Sequence, residues 1–375
     1  MGGTSASAIW PAGAFDPARA GTRVRVERAG SQRSTTSTRP PVRFAAIGLN
    51  HSHVYGQIQL LLRHGGVLAS AWASEPDLVA AFRKRHPQVP IARSEQEILD
   101  DPSIQLVVSA AIPNERAPLG VRVMRAGKDY MADKPGVTTL EQLAEIRRVQ
   151  TETGRIYSIV YGGRLESPAV QRAVELAHGG AIGQVVQTMG TGPHRIGNNR
   201  PDWFWKKAQF GGVITDLGTH QADYFLTFLR ADRAEVVASQ AGNRHFPDRP
   251  EFEDFGDAML RAPSGSGYFR VDWFTPGGLS SFGDSRLIVL GTDGFIEVRP
   301  QLDLAGRPGG HHLFLVDQKE TRHIDASQTP LPYGARLLDD VVQRTETAMS
   351  QAHAFLAAEL VLQAQSRATS PVLPT

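Results

Sequence analysis

Residues 42–64 read VRFAAIGLNHSHVYGQIQLLLRH, and this stretch decides the fold. Val42–Ile47 is an apolar run the length of a buried strand, Gly48–His53 is a turn, and Val54–His64 carries apolar residues at helical spacing. The same rhythm then repeats. Strands are predicted at Val67–Trp72, Ile104–Ala110, Asp129–Ala132 and Ile156–Tyr161, with helices at Leu78–His86, Ala117–Ala126 and Leu140–Thr153 between them. Strands alternating with helices of about 10–15 residues predict a parallel, doubly wound α/β sheet. In such a sheet the ligand sits beyond the carboxyl ends of the strands.

After Tyr161 the rhythm changes. A helix at Pro168–Ala177 and a strand at Gln184–Gly190 lead into a polar and aromatic loop, GPHRIGNNRPDWFWKKAQF, and then a helix at Asp216–Leu229. Strands follow at Glu235–Gln240, Asp257–Arg261, Tyr268–Phe274, Arg286–Leu290 and Gly294–Val298, and a helix over Thr345–Gln365 closes the pattern. This order predicts a second, α+β domain with an antiparallel sheet. Residues 1–41 are rich in Gly, Ala, Ser, Thr, Arg and Pro, without the apolar core of a secretory signal. They read as a flexible N-terminal extension, or as an arm over a neighbouring subunit. The expected division is 1–41, 42–163 and 164–375.

A chain of 375 residues with 41% hydrophobic side chains is long enough for two cores. A net charge of +2 gives no reason to expect a nucleic-acid partner, and the absence of cysteine excludes disulfides and thiolate catalysis. No apolar run reaches the ~18 residues of a membrane span. A soluble, cytoplasmic protein is expected.

The chemistry concentrates at four places. The first is the turn Gly48-Leu49-Asn50-His51-Ser52-His53, which stands where a dinucleotide's pyrophosphate meets a helix N-terminus. The usual pattern is G-x-G-x-x-G, and here Asn50 and His53 replace its second and third glycines. The second is the corner after the next strand, Ala73-Ser74-Glu75. Ser74 leaves room for a 2′-phosphate with Arg83 or Lys84 as distant cations, and Glu75 can equally reach a ribose, so NAD and NADP both stay open. The third is Asp133-Lys134-Pro135, which puts a lysine at the mouth of a parallel strand, near Pro113 and Asn114 at the end of another. The fourth is GGVITDLGTHQAD at 211–223. Asp216 and His220 are four residues apart on a helix, and a carboxylate beside an imidazole suits a general base.

His194, Arg195, Trp203 and Trp205 read as a wall for a sugar ring, and Arg164 is expected to face the crevice. The histidines His51, His53, His194 and His220 show no close spacing beyond the first pair, so no metal is expected. His311 and His312 read as a solvated Gly-rich loop.

From about Val42 to Gln365 the chain resembles the Gfo/Idh/MocA oxidoreductases. The resemblance rests on the turn at Gly48, Pro113-Asn114, the Asp-Lys-Pro turn where Glu-Lys-Pro is usual, Gly179–Gly183 before a strand, and GGVITDLGTHQAD. The last matches the family's G-G-G-x-x-x-D-x-G-x-H-x-x-D apart from Val213, and Ala117 stands where many members are polar. The resemblance implies a Rossmann domain followed by an α/β domain whose large, mostly antiparallel open sheet serves oligomer packing, as a dimer or tetramer. It implies hydride transfer between NAD or NADP and a hydroxyl carbon of a sugar, cyclitol or sugar derivative. Lys134 would touch substrate and nicotinamide, His220 would take the hydroxyl proton and Asp216 would orient it. Pro113, Asn114 and Pro135 would lie along the cofactor. The alternatives are a redox-neutral lyase or glycosidase with retained cofactor, a non-catalytic nucleotide-binding subunit, and a metal hydrolase.

Overall fold

The computed structural model describes residues 25–28, 40–197 and 199–370. The expected flexible extension lies outside the described residues, except for residues 40–41 and the strand β1 (Arg25–Arg28), an element the sequence reading does not anticipate.

The first half is the predicted α/β unit. Strands β2 (Arg43–Ile47), β3 (Val67–Trp72), β4 (Leu106–Ser109), β5 (Asp129–Asp133) and β6 (Tyr157–Val160) form a wholly parallel sheet in the order β3-β2-β4-β5-β6. The last three strands are buried at every position, which is why β4 and β6 read as short, mainly apolar runs, while β5 also buries Asp129 and Asp133. The intervening helices are α1 (His53–Arg63), α2 (Pro76–Arg85), α3 (Glu95–Asp100), α4 (Pro113–Arg125) and α5 (Leu140–Thr153). The strand order reverses between β2 and β4, and the loops leaving those strands are laced together. His51 N–H donates to the Ala110 carbonyl at 2.9 Å and Ala110 N–H to that of Gly48 at 3.2 Å. Gly48 has φ +77°, and a Cβ there would lie 2.5 Å from that of Ala111. Its glycine is therefore required by the neighbouring loop.

The second half follows through α6 (Gly162–Leu165), α7 (Pro168–His178), β7 (Val185–Pro193), α8 (Lys207–Phe210) and α9 (Val213–Leu229). Then come β8 (Glu235–Gly242), β9 (Phe255–Ala262), β10 (Gly265–Asp272), β11 (Arg286–Gly291), β12 (Gly294–Arg299), β13 (His312–Asp317) and β14 (Thr321–Asp325). With β1 they make a nine-stranded sheet, β1-β14-β13-β12-β11-β7-β10-β9-β8, antiparallel except at β1–β14 and β7–β10. One face is covered by α9 and by α11 (Gln351–Arg367), which follows α10 (Tyr333–Gln343). Helix α11 also reaches the first sheet. The Tyr161 hydroxyl donates to the Ala354 carbonyl at 2.7 Å, and Tyr157 N–H to Gln351 Oε1 at 2.8 Å.

Two expectations fail here. The closing helix does not begin at Thr345: the chain turns at Arg344, φ +58°, where the Asp340 carboxylate accepts from Thr345, Thr347 and Ala348. Helix α11 starts afresh at Ser350, whose hydroxyl caps His353 N–H. His312 is not solvated. It is buried in β13, with its Nδ1 3.1 Å from Nε2 of His323 on β14.

Candidate active site

The main cavity, about 740 Å³, opens where the carboxyl ends of β2, β4, β5 and β6 face the start of α9 and the ends of β7 and β10. Helix α9 is aimed into it by its two leading glycines, Gly211 and Gly212, at φ +91° and +93°. Its first amides are taken by side chains from behind. Val213 N–H donates to Glu253 Oε2 at 3.1 Å, and Ile214 N–H to Gln365 Oε1 at 2.9 Å. The first turn therefore presents Asp216 and the second His220, both lining the cavity.

Lys134, at the mouth of β5, points across to α9. Its Nζ lies 2.8 Å from Asp216 Oδ1 and 3.2 Å from the Asp216 carbonyl. Burial alone would raise the Asp216 carboxyl, but the ammonium of Lys134 holds it below the usual carboxylate range. The carboxylate is thus Lys134's partner. The expected pairing with His220 along the helix is not the one made. His220 instead accepts, at Nδ1, the backbone N–H of Gly163 at 3.3 Å. In the neutral ring the proton then resides on Nε2. Burial, and next the charge of Lys134, push the His220 imidazole down to about 3, so it is uncharged at neutral pH.

The phosphate turn brings a second ionic group into the cavity. His53 Nδ1 lies 3.0 Å from Asp133 Oδ1, and the buried Arg116 guanidinium lies 3.1 Å from Oδ2. Arg116 also donates to the carbonyls of Ala111, Lys134 and Pro135, which ties the end of β5 to the loop after β4. Against the desolvation that would raise it, His53 and then Arg116 hold Asp133 well below the usual carboxylate range. His51 joins at 3.8 Å from Asp133, and burial pushes its imidazole down to about 3. The donor atoms of His51, His53 and Asp133 lie within 4.8 Å of one another, a closer convergence than sequence spacing reveals. His194 and His220 are not part of it, and Arg116 already supplies positive charge on the carboxylate.

His194 caps β7 beside the end of β10. Its ring centroid is 5.5 Å from Trp273 and 5.2 Å from Phe282, and Nδ1 lies 3.1 Å from the Gly192 carbonyl. Burial, then Lys134, pushes its imidazole to about 4. Trp203 also lines the cavity.

Of the residues singled out from sequence, Lys134, Asp216, His220, His51, Ser52, His53, Pro113, His194 and Trp203 line one cavity. Gly48, Asn50, Ser74, Asn114 and Pro135 do not. Asn50 and Ser74 both donate to Glu75, at 2.7 and 2.9 Å. Arg164 turns away: the short α6 carries it to a fork on buried Asp223, 2.7 Å at both contacts, where His353 adds a third at 2.8 Å. Arg195 donates to the carbonyls of Pro276 and Leu279, and Trp205 packs on Phe246 and Phe252. Sequence reasoning misses Gln57, Arg116, Arg200 and Trp273, all on the cavity wall. Only Gln57 leaves a signal, a polar residue on the face of α1 that buries Val54, Ile58 and Leu61.

Comparison with known proteins agrees with this architecture. Residues 42–161 match the family model described as an oxidoreductase family with an NAD-binding Rossmann fold, and residues 170–297 match the Gfo/Idh/MocA C-terminal domain. A crystal structure of an oxidoreductase candidate from Erwinia carotovora atroseptica SCRI1043 is 45% identical. It superposes with a TM-score of 0.87 over 88% of this chain and 100% of that one. The D-xylose dehydrogenase of Paenarthrobacter nicotinovorans is 25% identical over 187 residues, 48% of this chain and about half (47%) of that protein. A levoglucosan dehydrogenase in complex with NADH and levoglucosan shares the fold, at 16% identity and a TM-score of 0.71 over 88% of this chain and 98% of that one. With both halves matched and the Lys134–Asp216–His220 cavity between them, the chain belongs to the Gfo/Idh/MocA family of oxidoreductases, built on an NAD-binding Rossmann fold.

Proposed function

We propose that this protein is an NAD(P)-dependent dehydrogenase of the cytoplasm, moving hydride between nicotinamide and a hydroxyl-bearing carbon of a sugar, cyclitol or sugar derivative. The observation that carries the reading is Lys134 Nζ held 2.8 Å from Asp216 Oδ1 in the cavity that His220 also lines. The similarity to a D-xylose dehydrogenase supports the substrate class.

The chain's own polar groups suit the cofactor. Gln57 is 3% exposed and lines the crevice, yet neither side-chain amide atom has a partner among the described residues. Buried polar atoms left unsatisfied are costly, and a dinucleotide's hydroxyl and amide groups would satisfy them. Gln57, Ser52 and Lys134, which line the cavity, would hold it. The nicotinamide ring supplies the hydride carrier.

The residues then divide the proton work. His220, neutral with its proton on Nε2, donates a hydrogen bond to the substrate oxygen and polarises it, as a neutral imidazole can. Lys134, steadied by Asp216, handles the proton. The ammonium gives one to the oxygen when a carbonyl is reduced, and the amine left once the ammonium has lost a proton to solvent takes one from the hydroxyl when an alcohol is oxidised. Lys134→Met and His220→Ala are expected to lower turnover at least a hundredfold with the fold intact by circular dichroism. Full activity in both would overturn the assignment.

The second reading is a redox-neutral lyase or glycosidase that oxidises, eliminates and reduces back. The side chains of Asn50, His51 and His53 filling the phosphate turn favour it, since they suit a dinucleotide that is not exchanged in each cycle. Product formed without net change in nicotinamide absorbance would select it.

A homo-oligomer is part of the proposal. Met189, Tyr268 and Met259 are direct register partners across β7, β10 and β9, and all are exposed on the face of the nine-stranded sheet away from α9. An apolar strip of this kind calls for a cover. Light scattering that gives a monomer at micromolar concentration would refute it.

A further inference from the structure

The cavity holds one cation that its own charges do not use. Arg116 pairs with Asp133 and Lys134 with Asp216. The remaining acid, Glu166, sits beside Gly162, in the field of His53 and Asp133. Arg200 has no hydrogen-bond or ion-pair partner among the described residues, and its Nε is buried without one. Its guanidinium carbon lies 4.5 Å from the ring centre of Phe204 and 4.9 Å from that of Trp273, so the group is held between aromatic faces. Burial pushes it below its ordinary value, which marks a charge short of solvent.

Asp216 acts on it only from a distance, being paired with Lys134. A guanidinium that no acid contacts among the described residues, fixed on aromatic rings and lining a ligand cavity, is built for a planar anion. The neighbouring groups narrow the ligand further. His194 directs Nδ1–H to the Gly192 carbonyl, which leaves Nε2 as an acceptor for a hydroxyl. Trp273, buried between His194 and Arg200, lines the same cavity and fixes both groups beside it.

Resting on the dehydrogenase reading above, we propose that the substrate carries a carboxylate that Arg200 takes in a forked ion pair. The substrate class is then a sugar acid or carboxylated polyol. Its anionic end faces Arg200, a hydroxyl meets His194, and the reacting carbon lies toward Lys134 and His220.

The test is calorimetric titration of the full-length protein, with and without saturating NADH. The ligands are D-galacturonate, D-glucuronate and D-gluconate, each against its neutral counterpart and the matching sugar 6-phosphate. At least one acid is expected to bind tenfold or more tightly than its neutral partner. Arg200→Met should bring that acid down to the neutral level, and Arg200→Lys should restore part of the difference. No acid preferred over its neutral form, with NADH bound normally, would overturn the proposal and leave the dehydrogenase reading standing. A phosphate preferred over every acid would overturn the carboxylate assignment. An Arg200→Met variant that loses NADH rather than the acid would place Arg200 on the cofactor and overturn it too. Failure of every nicotinamide dinucleotide to bind would count against the underlying reading, and the cofactor-free acid titrations would still judge Arg200.

Discussion

The backbone N–H of Gly163 donates to Nδ1 of His220 at 3.3 Å, and this contact, not the helix neighbour Asp216, fixes the imidazole. Gly163 is close-packed here. A Cβ on it would collide with the Tyr224 hydroxyl and lie 3.1 Å from His220 Cγ. Gly163→Ala is therefore expected to move the ring and lower kcat at least tenfold, with a smaller change in cofactor affinity. Unchanged kcat in a folded variant would show that the backbone does not set the tautomer.

The same imidazole predicts the pH profile. An ordinary histidine base gives an inflection near pH 6.5, but burial holds His220 near 3 and His194 near 4. Both are then neutral throughout the working range. The plot of log kcat/KM should show no inflection from His220 or His194 between about pH 5 and 8. Stability moves with the same groups. Their folded-state values are depressed, so the unfolded chain binds more protons below about 6.5, and stability falls as the pH drops from there. A clear activity inflection at 6–7 that disappears in His220→Ala would refute the neutral-imidazole mechanism.

In the proposed mechanism Asp216 acts through Lys134, and that predicts non-additivity. Asp216→Asn should lower kcat by roughly ten- to a hundredfold by freeing the lysine, with little effect on dinucleotide binding. Once Lys134 is Met, the carboxylate has no partner to steady, so the double variant should be no worse than Lys134→Met alone. Multiplicative losses in kcat would separate the two residues and return Asp216 to a role of its own.

The first sheet is legible in the sequence because strands buried on both faces are mainly apolar, as Leu106–Ser109 and Tyr157–Val160 are, with one small serine each. The edge region is not. In HHLFLVDQKETRHID only His312, Leu313, Leu315, His323 and Ile324 are buried, without a regular period, and nothing in the spacing announces that the two histidines pair. The candidate site divides in the same way. Lys134, Asp216 and His220 are recognisable as residue types at meaningful places, but their partners are not. The helical spacing that puts Asp216 beside His220 is a weak local preference, and a lysine arriving from β5 outweighs it. Arg164 is misplaced for a related reason. Its position just past β6 suggests the crevice, but buried Asp223, fifty-nine residues on, claims it.

That buried pair carries its own prediction. Burial would raise the Asp223 carboxyl, yet Arg164 first and His353 after it hold it at about 2. A carboxyl depressed in the folded state stabilises the fold fully above its unfolded value of about 4, and loses that contribution as pH falls through about 2. Asp223→Asn should cost on the order of 3 kcal/mol at pH 7, because it strands a buried guanidinium. It should also flatten the acid limb of stability between about pH 4 and pH 2. Urea midpoints across that range measure both, and an acid limb unchanged from the parent would exclude Asp223 as its origin.

The corner after β3 bears on the cofactor's phosphate. Glu75 accepts from Asn50 at one oxygen and from Ser74 at the other, so the carboxylate is held in place beside the phosphate turn. Glu115 adds to the negative field; burial, then Glu75, raises its carboxyl. A ribose 2′-hydroxyl can donate to such a carboxylate, whereas a 2′-phosphate is repelled by it. NAD is therefore expected to bind at least tenfold more tightly than NADP, and NADH more tightly than NADPH, in a fluorescence titration. Glu75→Ala should narrow that gap mainly by improving NADP. Tighter binding of NADP by the unaltered protein would mean that Arg83 or Lys84 swings in to the phosphate, and that Glu75 serves only to hold Asn50.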